Sequence, residues 1–367
     1  MEIKRRYSRP IQVGSVTVGG GAPISVQSMT NTDTRDIEAT LAQIKRLERA
    51  GCEIVRVAVP DAEAAKALKK LKAQAKIPLV ADIHFDYRLA LAALEAGVDG
   101  LRLNPGNIGG RERVKIVARE AKQRGVPIRI GVNAGSLEKE LLARYGGPTP
   151  EAMVESAERH IRLLEDLDFS ALKISLKASS VPLTIDAYRL LAGRVDYPLH
   201  LGITEAGRVL AGAVKSAVGL GILLSEGIGD TIRVSLTGDP VREIQVGYQI
   251  LRALGLRARG VELISCPTCG RCQVDLEKLA AEVEERLSGI TAPLQVAVMG
   301  CAVNGPGEAR EADVGVAAGK GFGVIFRRGK PVARAREEDL AKALLAEVEK
   351  VLEEAGYADK PNVNTDT

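Results

Sequence analysis

Four of the chain's five cysteines fall within two short segments, Cys266-Pro-Thr-Cys269-Gly-Arg-Cys272 and Met299-Gly-Cys301-Ala-Val-Asn304-Gly-Pro-Gly-Glu308. Thiolates so close in sequence are soft donors that select zinc or an iron-sulfur centre over hard cations. The glycines and prolines around them let the backbone turn tightly about an inorganic core. A disulfide framework is disfavoured. The first twenty residues are charged and lack a continuous apolar run, so no secretory leader is expected, and reducing compartments seldom keep structural disulfides. Three ligand sets stay open on the residues alone. Cys266, Cys269 and Cys301 could hold a cubane whose last iron takes an oxygen ligand such as Glu308, which is displaceable and so permits chemistry at iron. The Cys-x2-Cys-x2-Cys spacing through Cys272 is the rival, as in an electron-transfer ferredoxin. A closed tetrahedral zinc site is the third, although no second pair repeats the first spacing. Cys52, alone before an apolar run, reads as a small buried residue.

A second set of residues sits at the ends of apolar runs. Arg56, Arg102, Arg129, Lys177 and Arg233 lie in or beside segments whose other residues belong to a core, accompanied by Asp82, His84, Asn104, Asn133, Ser175, Thr204, Glu205 and Ser235. An unpaired buried ion is costly, so these cations need anionic partners. Asp82 and Glu205 could neutralise part of the charge. The excess calls for a phosphate or diphosphate, whose oxygens match the planar guanidinium fork. The loop Asn104-Pro-Gly106-Asn107-Ile-Gly109-Gly110 adds backbone amides. A lone histidine on a strand is more often a hydrogen-bonded core residue than a catalyst; His84 reads either way, and His200 reads as core.

These residues need elements to hold them, and the chain supplies a repeat of short apolar run and longer amphipathic stretch. Eight strands are expected at Pro23-Ser28, Glu53-Val59, Pro78-Ile83, Gly100-Leu103, Pro127-Val132, Ala171-Leu176, Pro198-Ile203 and Thr231-Leu236. Helical patterns lie between them, with start signals at Thr149-Pro150, Thr184 and Gly238-Asp239-Pro240. Runs without alternation indicate a parallel sheet buried on both faces. Eight such units in an α/β chain predict a TIM (β/α)8 barrel, with an open doubly wound sheet as the competitor. Beyond Gly260 the pattern becomes a small α+β unit with the cysteines in its loops. The expected division is residues 1–258 as the substrate-binding barrel, 259–356 as the iron-sulfur domain and 357–367 as a disordered tail. Net charge +4, aromatics at 3% and no tryptophan argue against nucleic acid as partner. No apolar run reaches the length of a membrane span. A soluble, cytoplasmic protein acting on a small anion is expected.

Several segments together carry a resemblance: Ser25-Val-Gln27-Ser28-Met29-Thr30-Asn31-Thr32, Arg102-Leu-Asn104-Pro-Gly-Asn107-Ile-Gly, Arg129-Ile-Gly-Val-Asn133, Ser175-Leu-Lys177-Ala-Ser, Gly202-Ile-Thr204-Glu205-Ala-Gly and the Cys301 to Glu308 loop. Over nearly its whole length the chain resembles the bacterial 4-hydroxy-3-methylbut-2-enyl diphosphate synthase family, iron-sulfur enzymes of the non-mevalonate isoprenoid pathway. The resemblance implies a barrel joined to a cluster domain similar to part of sulfite reductase. It also implies reductive ring opening and dehydroxylation of 2-C-methyl-D-erythritol 2,4-cyclodiphosphate. The implied 4Fe-4S ligands are Cys266, Cys269, Cys301 and Glu308, and the implied substrate contacts are Arg56, Arg102, Asn104, Arg129, Asn133, Lys177, Thr204, Arg233 and Ser235. Glu205 matches the family's acid residue, and Asn304 lies beside the cluster. Ferredoxin or flavodoxin would deliver two electrons, and a head-to-tail homodimer would share its active sites. Cys272 departs from the family pattern, so the third thiolate rests on analogy; Cys301 is favoured because the reactive iron must keep a labile oxygen ligand. The alternatives are a zinc-stapled barrel enzyme acting on another phosphorylated substrate and a nucleic-acid-binding protein with a zinc module.

Overall fold

The computed structural model describes residues 3–358 and residue 361. The expected tail, 357–367, lies mostly outside these described residues. The chain divides into two compact units, Met1–Arg257 and Ala258–Thr367.

The first unit is a parallel eight-stranded barrel. Its strands are β1 (Ser25–Met29), β2 (Ile54–Val59), β3 (Leu79–Ile83), β4 (Gly100–Leu103), β5 (Ile128–Asn133), β6 (Leu172–Lys177), β7 (His200–Leu201) and β8 (Thr231–Ile232). They follow one another around the sheet, with β8 pairing to both β1 and β7. A single bridge, Ile174 to Leu199, closes the ring between β6 and β7. Helices α1 (Ile37–Ala50), α2 (Ala62–Gln74), α3 (Tyr87–Glu95), α4 (Arg111–Arg124), α5 (Lys139–Tyr145), α6 (Pro150–Glu165), α7 (Val181–Ala192), α8 (Val209–Ser225) and α9 (Val241–Ala253) connect them. Caps set several boundaries: Asp36 and Asp61 accept from Ala39 N and Ala64 N, and Thr149 accepts from Ala152 N ahead of Pro150. Helix α7 begins earlier than Thr184 suggested. Ser180 caps it and Pro182 sits in its first turn, where a missing N–H costs nothing.

Both strand faces are buried, but they differ. In β6, Leu172, Ile174 and Leu176 join the apolar cluster shared with the helices, while the alternate Lys173, Ser175 and Lys177 are buried on the other side. The expected absence of alternation thus holds for burial and fails for polarity, because this barrel fills its interior with polar side chains. An antiparallel hairpin that the sequence reading did not place, Ile11–Val13 with Val16–Val18, packs Ile11, Val13 and Val18 on Ile54 and Val80.

Strands β7 and β8 are shorter than expected. The weak β6–β7 junction is supplemented by a side chain: the buried Tyr188 hydroxyl of α7 accepts from Leu176 N at 3.0 Å and donates to the His200 carbonyl. It replaces ladder bonds that two short edges lack.

The second unit is a mixed sheet of β9 (Glu262–Ser265), β10 (Gln295–Met299), β11 (Val314–Gly319), β12 (Phe322–Arg327) and β13 (Lys330–Arg336), in that order. The β9–β10 and β10–β11 pairs are parallel and the others antiparallel. Alternation in β10 is clean. Val296 and Val298 pack with α10 (Leu276–Leu287) and α12 (Leu340–Glu354), whereas Ala297 and Met299 face α11 (Gly305–Glu311). A Cβ at Gly315 would stand 2.5 Å from the Ala309 carbonyl oxygen, so glycine lets α11 lie directly on the sheet. The Asn304-Gly-Pro-Gly-Glu308 segment is the start of this short helix.

Removing only the hydroxyl, Tyr188→Phe strands a buried N–H and a buried C=O. Thermal unfolding of the barrel should show a loss of about 1–3 kcal/mol; an unchanged melting temperature would mean the β6–β7 junction does not depend on it.

Candidate functional site

Parallel register assembles the cations of the barrel. Arg56 lies beside Met29, Asp82 beside Arg102, Arg102 beside Arg129, Arg129 beside Lys173, and Asn133 beside Lys177. Arg56, Arg102, Arg129 and Lys177 are all buried. Asp82 is their common counter-ion: Arg102 Nη1 donates to it at 3.2 Å, Arg56 Nε stands at 3.6 Å and His84 Nε2 at 3.5 Å. Burial alone would raise the Asp82 carboxyl, yet Arg56, His84 and Arg102 together hold it well below the usual carboxylate range. Arg56 also directs Nε and Nη2 to the Met29 sulfur, and burial brings its guanidinium down to about 10.

The second internal acid is Glu243 in the first turn of α9, not Glu205 as the sequence suggested. Glu243 accepts from Ser28 Oγ at 2.7 Å, from Leu236 N at 3.1 Å and from Arg233 Nη2 at 3.4 Å. Glu205 is exposed just beyond β7, with a left-handed φ of 52°, a conformation a side chain adopts only when its surroundings hold it there. Asn104, Asn133, Thr204, Arg233 and Ser235 are half-buried at or just beyond strand ends. Asn104 is engaged in its own turn, accepting from Gly106 N.

Two glycines make room for long cations. A Cβ at Gly131 would lie 2.7 Å from Arg102 Nε, and one at Gly202 would lie 2.9 Å from Lys177 Nζ. Burial, then the neighbouring Arg233 and Arg129, push Lys177 well below the ordinary lysine value; burial, Arg56 and Arg102 do the same to Arg129. Among the described residues, Arg129 Nε and Nη1, Arg102 Nε and Arg233 Nε find no hydrogen-bond partner. Among the described residues, Arg56, Arg102, Arg129, Lys177 and Arg233 therefore face Asp82 and Glu243, while the buried Asp230 acts on Lys173 beneath them. Donors outnumber acceptors, which is the electrostatic complement of a polyanion.

Lys173, Gln27 and Glu243 were not picked out from sequence. Lys173 and Gln27 line a small cavity with Val80, Gly100 and Arg129 beneath the arginines. Alternation within Leu172–Lys177 was the available signal for Lys173; Glu243 has none, being set by the packing of α9. His200 is fully buried, and desolvation drives its pKa well below 6.5, so its ring is neutral.

In the second unit, Cys266 follows β9 and Cys301 follows β10, at the same end of adjacent parallel strands. Cys266 Sγ accepts from Gly300 N at 3.4 Å. The Cys301 thiol is lowered by backbone N–H groups, chiefly of Asn304 and then Val303, and Cys269 by that of Arg271. Cys272 behaves differently, its thiol donating to the Val274 carbonyl at 3.3 Å. Asn304, whose backbone N–H faces Cys301, and Glu308, in the first turn of α11, are both exposed. Among the described residues, no three His, Cys, Asp or Glu side chains converge to hold a single metal ion. Cys269 and Cys301, with thiols lowered by backbone N–H groups, and Cys266 at the adjacent strand end are soft sulfur donors of the kind that zinc and iron-sulfur centres take.

With this geometry, comparison with known proteins is decisive. Residues 8–248 match the GcpE TIM-barrel domain and residues 262–350 the GcpE protein C-terminal domain. The chain belongs to the GcpE family. Among its relatives, 4-hydroxy-3-methylbut-2-en-1-yl diphosphate synthase (flavodoxin) of Geobacter sulfurreducens is 67% identical, the match covering 95% of this chain and 98% of that protein. The enzyme of the same name from Caldanaerobacter subterraneus subsp. tengcongensis is 63% identical over 95% and 99%. Family membership accounts for the pairing of a cationic barrel with a cysteine-bearing α+β unit in one chain.

Burial holds Lys173 down to about 7 against 10.5 for a free lysine. Between those values the unfolded chain binds a proton that the folded chain does not, so stability rises with pH across roughly pH 7 to 10. Lys173→Met should be more stable than the unsubstituted protein near neutrality, by an amount on the order of a few kcal/mol. That advantage should shrink as pH is raised. Parallel unfolding curves at pH 7 and pH 9.5 that keep a constant gap would refute this account.

Proposed function

We propose that the chain is a 4-hydroxy-3-methylbut-2-enyl diphosphate synthase. It reductively opens 2-C-methyl-D-erythritol 2,4-cyclodiphosphate and removes one oxygen as water, consuming two electrons. The observation that carries this reading is the excess of inward cations in the barrel, Arg56, Arg102, Arg129 and Lys177 buried and Arg233 half-buried against Asp82 and Glu243, with guanidinium donors that find no partner among the described residues. A cyclic diphosphate supplies the missing acceptors.

Arg56, Arg102, Arg129, Lys177 and Arg233 would bind the two phosphoryl groups, with Asn104, Asn133, Thr204 and Ser235 fixing their orientation from the strand ends. Asp82 and Glu243 hold the guanidinium groups in place before substrate arrives, so little reorganisation remains at the moment of reaction. Glu205, exposed on the rim at a left-handed backbone position, would act as the acid for the departing oxygen only once bound substrate buries it. Cys266, Cys269 and Cys301, with Glu308 as a displaceable oxygen ligand, would hold a 4Fe-4S cluster. When bound, that cluster supplies low-potential single electrons. Asn304 would stand beside it. The electron donor in this reading is flavodoxin, as in the names of the relatives, and the setting is the cytoplasm. A homodimer whose subunits share each active site completes the reading, supported by the motif resemblance alone.

Anaerobically purified protein should contain iron and sulfide and convert the cyclic diphosphate when given reduced flavodoxin. Cys301→Ser should lose the cluster, while Cys272→Ser should keep its iron and sulfide; zinc in the purified protein, or cluster loss in Cys272→Ser, would overturn the ligand assignment. Glu205→Gln should lower turnover by about a hundredfold at unchanged iron content, and normal turnover would remove Glu205 as the acid.

A further inference from the structure

The turn that carries Asn104 rests on a side chain outside the cationic set. After β4 the chain makes a short 3-10 turn, Pro105–Asn107, and a Cβ at Gly106 would stand only 2.7 Å from His160 Cε1. The imidazole is thus the surface on which this turn lies. His160 itself is 5% exposed, on the inner face of α6 among Met153, Ala157, Ile161 and Leu164. Its Nε2 stands 3.2 Å from Glu138 Oε1, an ion-pair approach whose angle falls short of a hydrogen bond. Ser156, one turn earlier on the same helix, donates to the same Glu138 oxygen at 3.1 Å. Glu138 ends the loop that begins at Asn133 and opens α5, and the adjacent His160 is the chief reason its carboxyl is held down to about 2.

One buried ring therefore touches the turn after β4 and, through a carboxylate, ties down the loop after β5. Asn104 and Asn133 stand at the roots of these two loops. We propose that His160, held by Glu138 and Ser156, is a positioning residue that fixes the Asn104 and Asn133 loops in the arrangement that receives the substrate's phosphoryl oxygens. Gly106 is the matching half of the device, because any side chain there would displace the turn from the ring. The inference rests on the barrel being the diphosphate site. It assigns His160 no contact with substrate.

The test uses the anaerobically purified holoenzyme. His160→Ala should raise KM for the cyclic diphosphate about tenfold while kcat stays within about twofold, with iron and sulfide content unchanged. Gly106→Ala, which pushes the turn off the ring, should act in the same direction. Combining the two should cost less than the product of the single effects, since both remove one contact. Should His160→Ala not accumulate as folded protein, Gly106→Ala and Glu138→Gln supply the same measurement. A KM at the unsubstituted value in these variants, or a loss confined to kcat, overturns the inference. If the unsubstituted holoenzyme fails to turn over the cyclic diphosphate, the functional reading falls instead. Calorimetric affinity for inorganic diphosphate, unsubstituted against variant, still decides the role of His160.

Discussion

Everything in the first unit answers to an excess of positive charge kept away from water. A barrel of this size ordinarily fills with branched aliphatic layers. Here Arg56, Arg102, Arg129, Lys173, Lys177 and Arg233 take interior places, with Asp82, Glu243 and, for Lys173, Asp230 to oppose them. The apolar face of each strand, packed under the helices, must offset the cost of this arrangement, which is why Leu172, Ile174 and Leu176 alternate so strictly with Lys173, Ser175 and Lys177. The same excess is what a polyanionic substrate relieves. Binding strength is thus stored in the free protein as unfavourable like-charge proximity.

The architecture was legible because two simple signals agreed. Eight apolar runs separated by helical periods can hardly be read other than as a closed or open parallel sheet, and strand-end polar residues marked where the barrel's cations gather. What stayed hidden depends on contacts remote in sequence. Glu243 lies more than two hundred residues from Ser28, whose hydroxyl it accepts, and no local pattern announces that helix α9 turns a carboxylate inward. Glu205 was given Glu243's place as internal counter-ion because it follows a strand, yet the chain leaves the barrel at that point and exposes it. Lys173 was readable and overlooked: its period-two pattern was present, but an entirely buried strand was assumed to be apolar on both faces. The hairpin at residues 11–18 has strands of only three residues, too short to stand out from a loop.

In the second unit, geometry separates residues that composition treats as alike. Cys272 belongs to the same compact run as Cys266 and Cys269, but its sulfur is spent on the Val274 carbonyl and crowds the space above Gly300, where a Cβ would stand 2.5 Å away. Cys301, thirty residues along the chain, instead sits where backbone N–H groups favour a thiolate. Local backbone direction, rather than spacing, separates the thiols favoured as thiolates, Cys269 and Cys301, from the one that donates to a carbonyl.

The hairpin closes one end of the barrel by packing Ile11, Val13 and Val18 onto Ile54 and Val80. Ile11 and Val13 also line the small cavity that holds Lys173 and Gln27, so two strands of three residues each act as an awning that keeps water off an interior ammonium group.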